Sequence, residues 1–402
     1  MNPKKQKFIP YSFQAITNRD TQSVLKTLKS SRITQGPRIP EFEQNLAKFC
    51  GAKYAVAVSS GTAGLHLAGL AFGVIEGDEV ITSPNSFVAT SNSVLYCGGK
   101  PVFADIESIY LNIDPNEIKK KINSKTKGLI PVHFAGHPYQ VEEIHALAQK
   151  NGLFIIEDAC HALGASYRIK NKWYKVGSCA HADASILSFH PVKSITTGEG
   201  GAVLTNRKDI YEKLISLRSH GIVRDATSFK NRDLAFPEGL QAPWYYEMQD
   251  LGFNYRITDI QCALGISQLR SLSSLVDKRR NVAKIYNQAF KDFEGIIIPK
   301  EHESARSAYH LYPIQLTLKK LRVERTKIFQ LFQESGIGAQ VHYIPIHFQP
   351  YYMNFGFKKG DFPVTEKYYA STISIPLFPS ITAKQVQYVI RTIQTIITNN
   401  LK

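Results

Sequence analysis

Short, mostly apolar runs alternate with amphipathic stretches up to about residue 210, and this alternation restricts the fold more than any other feature of the chain. The runs are YAVAV at 54–58, EVIT at 79–82, PVFA at 101–104, GLIPV at 128–132, FIIE at 154–157, ASILSF at 184–189 and GAVLT at 201–205. Runs that are short and apolar on both sides of the pleat belong to strands covered on both faces. Strands alternating with helical segments, such as 141–151 ahead of FIIE, give a mainly parallel central sheet with helices on both faces. The expected class is therefore α/β. In such sheets ligands gather beyond the carboxyl ends of the strands, so the polar residues just after each run are the ones to inspect.

The pattern changes after about residue 260. Residues 259–280 read as one long helix, and 336–341 lead into a loop rich in Tyr and His. The chain closes on a helix with Val386, Val389, Ile390, Ile393, Ile396 and Ile397 along one face. This predicts a large domain over 1–258 and a smaller C-terminal α/β domain over 259–402. Residues 222–248 are polar and irregular, with Pro237, Gly239 and Pro243, and read as a surface insertion with no regular element. Residues 1–7 read as a short, polar, disordered N-terminus.

Composition excludes several classes. With 43% hydrophobic and 20% charged residues the chain can bury a sizeable core. It has no run of about 18 apolar residues and no leader-like apolar stretch at its start, so a cytoplasmic protein without a membrane partner is expected. Cys50, Cys97, Cys160, Cys179 and Cys262 are odd in number and form no CxxC pair; reduced thiols are expected rather than a disulfide framework or zinc knuckle. The net charge of +16 is spread along the chain, densest at Lys119, Lys120 and Lys121 and at Arg279-Arg280. It reads as a solvated basic surface that suits phosphorylated small molecules, and no nucleic-acid motif accompanies it. His133 and His137, in HFAGH, follow a strand instead of sharing a helix face, so no metal site is expected.

Four elements sit where strands end. Ser59-Ser60-Gly61-Thr62-Ala63-Gly64 follows YAVAV and opens a helix, where small residues and free N–H groups suit an anion. Glu157-Asp158 ends FIIE and precedes Cys160 and His161; such an aspartate either pairs with a protonated ring nitrogen or caps the next helix. Ser188-Phe189-His190-Pro191-Val192-Lys193 follows ASILSF, and a lysine held against a buried strand is desolvated toward its neutral, nucleophilic form. Gly252-Phe253-Asn254-Tyr255-Arg256 precedes a helix and carries polar groups on a loop, where binding residues concentrate. Taken singly, each also has an ordinary structural role as turn, cap, surface lysine or loop.

Taken together, the motifs SSGTAGLHLA, PNSFVATSN, EDACHALGA, SFHPVKSITTGEGGAVLTN, RSHGI, GFNYRITDIQCALG and QVHYIPIHFQPYY resemble, in order, those of the DegT/DnrJ/EryC1/StrS family of sugar aminotransferases. The likeness runs from about Pro10 to the C-terminus. It implies the fold-type I aminotransferase architecture, with pyridoxal 5′-phosphate (PLP) as cofactor. Lys193 would hold PLP as a Schiff base and serve as general base and acid, and Asp158 would bind the pyridine nitrogen. His161 occupies the family's position beside the phenolic oxygen, and Phe87 that of the aromatic side chain on the ring face. Ser60, Gly61, Thr62 and Ser188 would hold the phosphate. Asn254 would reach it from a neighbouring subunit, which implies a homodimer with shared active sites. His190, Arg256, His342, Tyr343 and His347 are the candidate substrate contacts.

The resemblance also implies the reaction: transfer of an amino group from glutamate to a nucleotide-linked keto-sugar. The late motifs look most like the branch of the pseudaminic acid pathway that makes UDP-4-amino-4,6-dideoxy-N-acetyl-β-L-altrosamine from a UDP-linked 4-keto-6-deoxy-N-acetylhexosamine. A UDP-4-keto-pentose is the alternative substrate. Relatives that dehydrate sugars carry His in place of the lysine, so Lys193 argues against that chemistry. Lys193 with Asp158 likewise argues against a catalytically silent binding protein, and a fold starting near residue 10 leaves no room for a DNA-binding domain ahead of it.

Overall fold

Each of the apolar runs forms a strand, with ends shifted by no more than two residues. In the computed structural model, which describes residues 8–402, these are β1 (Tyr54–Val58), β2 (Glu79–Thr82), β3 (Lys100–Phe103), β4 (Thr126–Ile130), β5 (Phe154–Asp158), β8 (Ala184–Ser188) and β9 (Gly201–Thr205). The hairpin β6 (Ser166–Ile169) and β7 (Lys172–Lys175) lies outside the main sheet. Residues 1–7, read above as a polar N-terminus, lie outside the described residues.

The seven strands order as β1-β9-β8-β5-β4-β2-β3. Only β9 opposes its neighbours: it pairs antiparallel with both β8 and β1, while β8, β5, β4, β2 and β3 pair in parallel. A parallel return needs a crossover, usually a helix. The link from β8 to β9 has none, so the chain turns straight back, and that turn carries Lys193.

Helices cover both faces. Along the chain they are α1 (Asn18–Leu28), α2 (Arg38–Cys50), α3 (Gly61–Ala71), α4 (Ala89–Tyr96), α5 (Pro115–Lys121), α6 (Val141–Asn151), α7 (Lys208–Arg218), α8 (Arg232–Ala235), α9 (Asp259–Leu269) and α10 (Leu272–Phe290). One face buries Leu65, Leu67, Val94, Ile210 and Leu214 of α3, α4 and α7 against Val56, Ile156 and Val203. The other buries Phe42, Leu46, Ile144, Cys262 and Ile266 of α2, α6 and α9 against Ile81, Ile155 and Leu187. Each such side chain contributes about 1.5–3 kcal/mol when fully buried.

A second core forms from the later half of α10, a three-stranded antiparallel sheet (Ile296–Ile297, Tyr312–Leu316, Thr372–Ile375) and the final helix Ala383–Thr398. That helix buries Val386, Val389, Ile390, Ile393 and Ile397, and a reciprocal Thr382–Gln385 capping pair starts it. Ile9 joins this second core, its amide donating to the Gly336 carbonyl and its carbonyl accepting from Gly338. The two cores meet along α10. No helix among the described residues is long and apolar enough to cross a membrane.

Three expectations need correction. Residues 259–280 are not one helix: α9 stops and α10 begins after Arg270 and Ser271. The Ser271 amide bonds three residues back to Gln268, a tightened turn, and its hydroxyl receives the Arg19 guanidinium from α1. That contact is tertiary and leaves no mark on periodicity. Residues 222–248 do contain elements: β10 (Ile222–Val223) pairs antiparallel with β11 (Glu247–Met248) and encloses α8. The Glu247 carboxylate ties the excursion together by accepting from the amides of Lys230 and Asn231 at 2.8 and 2.7 Å. Finally, Arg279 is not part of a solvated cluster; it is 1% exposed.

His133 and His137 serve packing. The His137 ring stacks on Tyr110 and accepts from the His302 amide. The His133 ring is fully buried with Nε2 3.5 Å from the Glu157 carboxylate, which also accepts from Tyr139. Burial alone would raise the Glu157 pKa, but the hydrogen bonding and charge of His133, with Tyr139, outweigh it and hold the carboxyl below its ordinary value. A carboxyl held low contributes stability above its unfolded value, and loses it as pH falls through the folded one. Glu157→Gln is expected to cost about 3 kcal/mol at pH 7, and the difference from wild type shrinks as pH falls below the ordinary glutamate value. Urea unfolding at pH 7 and in acid checks it; an equal deficit at both would show that charge is not involved.

Candidate active site

The site grows from the carboxyl ends of β4, β5 and β8, which lie side by side. Asp158 ends β5; its backbone bridges Val132, and its carbonyl accepts from the His133 amide. Its carboxylate is 6% exposed and fixed from two sides, by Thr90 Oγ1 at 2.6 Å and the Cys160 amide at 3.2 Å. Thr90 is in turn 2.8 Å from the Ser86 hydroxyl. Sequence reasoning passed over Thr90; the only signal was its place in PNSFVATSN, three residues after Phe87.

Lys193 stands on the β8–β9 turn. The turn is closed by Phe189 donating to the Gly200 carbonyl, Thr197 to Phe189, and the Lys193 amide to His190. The Lys193 side chain is half-buried. Burial pushes its amine below the usual lysine range; Cys160 and Asp158 oppose that, and Arg279 adds to it. The neutral amine that a nucleophile or base requires is thereby favoured.

Facing it are His161, His342 and Tyr343. Burial and then the charge of Lys193 hold His161 well below the usual histidine range, and push His342 down to about 3. Burial, with Asp158 next, raises the Tyr343 phenol well above its usual range. Both partners of the Tyr343 Oη–His161 Nε2 contact, 3.0 Å long, are therefore neutral. In the tautomer whose Nε2 accepts the phenol proton, the His161 proton sits on Nδ1. That Nδ1 is buried without a partner. His310, another residue without a sequence signal, packs against the His161 ring at 4.3 Å.

The anion-suited loop lies alongside. Ser60 caps α3, its hydroxyl accepting from the Ala63 amide at 3.0 Å. The first turn of α3, with Gly61 and Thr62, adjoins the end of β8. A Cβ on Gly61 would come 3.1 Å from both Cys160 Sγ and Ser188 Cβ, and one on Gly201 would come 2.5 Å from the Ser60 backbone. The glycines are required by close approach here. They leave a cradle of backbone N–H groups beside Ser188 that side chains would fill.

Other expected residues fall at differing distances from this cluster. Phe87 is 58% exposed, its ring 6.3 Å from that of Tyr343. His190 is exposed beside Lys193. Asn254 and Arg256 lie on a segment beside the end of β1, where the Ser59 amide donates to the Tyr255 carbonyl; Asn254 is exposed, and the Arg256 guanidinium donates to Ser219 Oγ at 3.1 Å. His342 is buried, its Nδ1 2.9 Å from Ser374 Oγ. His347 is not brought to the cleft: it is fully buried, 3.0 Å from Glu366 and packed on Phe348 and Phe362. Its polarity is spent on the loop's own packing.

The arrangement fits a flat phosphorylated cofactor. It offers an amine for covalent attachment, a fixed carboxylate, a glycine-lined helix start and a buried His161 Nδ1 without a partner. A buried polar group left without one costs about 1–3 kcal/mol.

Comparison with known proteins agrees with this geometry. A model of the DegT/DnrJ/EryC1/StrS aminotransferase family matches residues 14–394. The spore coat polysaccharide biosynthesis protein SpsC of Bacillus subtilis is 39% identical, covering 99% of each chain. A UDP-4-amino-4,6-dideoxy-N-acetyl-beta-L-altrosamine transaminase of Campylobacter jejuni is 36% identical, covering 97% of each. Among solved structures, Helicobacter pylori PseC, an aminotransferase of pseudoaminic acid biosynthesis, superposes with a TM-score of 0.88 at 34% identity, over 98% of this chain and 100% of that one. The PLP form of the sugar aminotransferase Spr1654 from Streptococcus pneumoniae, described by its own name as putative, gives 0.88 at 27% identity, over 98% and 100%. With Lys193, Asp158 and the glycine-lined start of α3 at one sheet edge and the family pattern across nearly its whole length, this chain belongs to the DegT/DnrJ/EryC1/StrS aminotransferase family.

Proposed function

We propose that this protein transfers an amino group from glutamate to C4 of a UDP-linked 4-keto-6-deoxy-N-acetylhexosamine, giving UDP-4-amino-4,6-dideoxy-N-acetyl-β-L-altrosamine. The observation that carries the chemistry is that the desolvated Lys193 amine and the fixed Asp158 carboxylate stand at the ends of the neighbouring strands β8 and β5, close enough for Asp158 to act on the amine's charge. The names of the Campylobacter and Helicobacter relatives support the choice of sugar.

The cofactor is pyridoxal 5′-phosphate, which when bound supplies an electron sink for the carbon being deprotonated. Asp158, an acceptor-only carboxylate, keeps a proton on the pyridine nitrogen. His161, with a proton on Nδ1, would donate to the phenolic oxygen, and Phe87 would cover one ring face. Ser60, Gly61, Thr62, Ser188 and the free N–H groups of α3 bind the phosphate. Lys193 Nζ would hold the cofactor between turnovers and, once freed by the amino donor, would carry a proton from the donor's α-carbon to the cofactor, then in the second half-reaction from the cofactor to C4 of the sugar. His190, Arg256, His342 and Tyr343 line the approach for the sugar nucleotide. The exposed Asn254 reaches the phosphate of a neighbouring copy in a homodimer, and the exposed Leu25 and Leu28 of α1 suit burial between copies.

The test is to supply the purified protein with glutamate and either the UDP-4-keto-6-deoxy-N-acetylhexosamine or a UDP-4-keto-pentose, and follow 2-oxoglutarate. Turnover is expected with the hexosamine, with kcat/KM at least about tenfold above that for the pentose, a discrimination of about 1.4 kcal/mol. The reverse preference would overturn the choice of sugar.

A further inference from the structure

Among the described residues, Arg279 is the one strongly basic side chain that the fold buries completely. It lies on α10 and is 1% exposed, while its neighbour Arg280 sits near the surface, 3.5 Å from Asp277. No carboxylate among the described residues comes within 4 Å of its guanidinium, although a buried charge normally carries a counter-ion. Its bonds go to backbone carbonyls instead: Leu377 at 2.9 Å, His310 at 3.3 Å and Val192 at 3.3 Å. Its Nε is buried with no partner. Arg279 thus retains its charge in a setting where an apolar side chain of the same volume would be less costly.

We infer that Arg279 is a positioning residue for Lys193, clamping the carbonyl just before it to two segments of the second core and placing an uncompensated positive charge beneath the catalytic cleft. The inference rests on Lys193 being the cofactor-holding amine. The clamp has geometric support from both ends. Val192 also accepts from Ser12 Oγ at 3.3 Å, and Leu377 donates to Tyr11, so the N-terminal segment, the Lys193 turn and residues 310 and 377 converge on one guanidinium. A planar fork can serve three carbonyls at once; a lysine ammonium, a compact point charge on a flexible stem, cannot hold them in the same geometry.

The charge has a second effect. Burial lowers the Arg279 pKa to about 10, which still leaves it charged at neutral pH. The groups facing Lys193 are Asp158, which favours its ammonium form, Arg279, which opposes it, and Cys160, His161, His310 and His342, which burial keeps neutral. Among the described residues, Arg279 is therefore the cation set against Asp158 at the amine. It allows the carboxylate to serve the cofactor ring without drawing Lys193 into an unreactive ion pair.

The experiment measures the titration of Lys193 in the full-length chain before cofactor is added, by trace acetylation at a series of pH values with peptide mass analysis. Arg279→Lys keeps the charge and loses the fork; Arg279→Met loses both. Wild type is expected to titrate below the ordinary lysine value of about 10.4. Arg279→Lys should stay within about 0.3 pH unit of wild type, and Arg279→Met should rise by about half a unit or more. Both variants should lower kcat about tenfold or more with little change in KM, as loss of positioning requires. In Arg279→Met alone, part of the loss should recover as the pH is raised.

A folded Arg279→Met whose Lys193 titrates as in wild type overturns the inference, as does a wild-type midpoint at the ordinary value, which needs no variant to fold. Trapping bound cofactor with borohydride separates the two levels of argument. Cofactor trapped elsewhere than Lys193 would remove the reading on which the inference rests. Cofactor on Lys193 with an unmoved titration would remove only the role of Arg279.

Discussion

Lys193→Ala is expected to eliminate the visible absorbance of lysine-bound cofactor and to lower turnover by at least about 10⁴-fold. The substitution deletes two functions held by one nitrogen, covalent retention of the cofactor and movement of the substrate proton. No neighbour can replace it. His161 and His342 are held so far below the usual histidine range that they are poor bases, and the Tyr343 phenol is held above its own. The variant should still fold, because Lys193 is half-buried and its side chain makes no hydrogen bond on which the turn depends; backbone bonds between Phe189, Gly200, Thr197 and His190 close that turn. Absorbance of the purified protein, turnover, and peptide mapping after borohydride reduction check the three parts of the claim. Undiminished turnover would remove Lys193 from the reaction.

Asp158→Asn is expected to lower kcat about 10²- to 10³-fold, the scale on which loss of one preorganised electrostatic partner is felt. Asn has nearly the shape of Asp; its Oδ1 can accept from the Cys160 amide and its Nδ2 can donate to the Thr90 hydroxyl, so packing at the end of β5 is kept while the charge is lost. Without the carboxylate nothing nearby holds a proton on the cofactor's ring nitrogen, and the electron sink weakens. The larger effect should fall on kcat, with slower loss of cofactor than in Lys193→Ala on gel filtration. A decrease of less than about tenfold would mean that the ring nitrogen is served by another group.

The two variants test residues that differ in how readily they are found. Asp158 and Lys193 each follow a short buried strand, and the strand-end rule for parallel sheets picks them out once the strands are recognised. Thr90, which fixes the Asp158 carboxylate, lies 68 residues away in sequence and is joined to it by a single 2.6 Å bond. His310 and Arg279 carry no local signal, and Arg279 reads from sequence as half of an exposed basic pair. Whether a charged residue on a helix faces solvent or a core depends on what packs against that helix, here residues 192, 310 and 377. His347 errs in the opposite direction: a histidine in a loop rich in Tyr and His reads as a binding group, but Glu366 from a later helix claims it.

Legible in the chain alone are the strands, their burial, the α/β class and the strand ends that carry Asp158, Ser60 and Lys193. Those follow from apolar runs and turn chemistry, interactions between residues near in the chain. Only the packed fold brings Arg19 onto Ser271 where 259–280 breaks into two helices, and sets Thr90, His310 and Arg279 against Asp158, His161 and the Lys193 turn. Those outcomes depend on contacts between residues scores or hundreds of positions apart, and no local pattern in the chain encodes which distant partner will arrive.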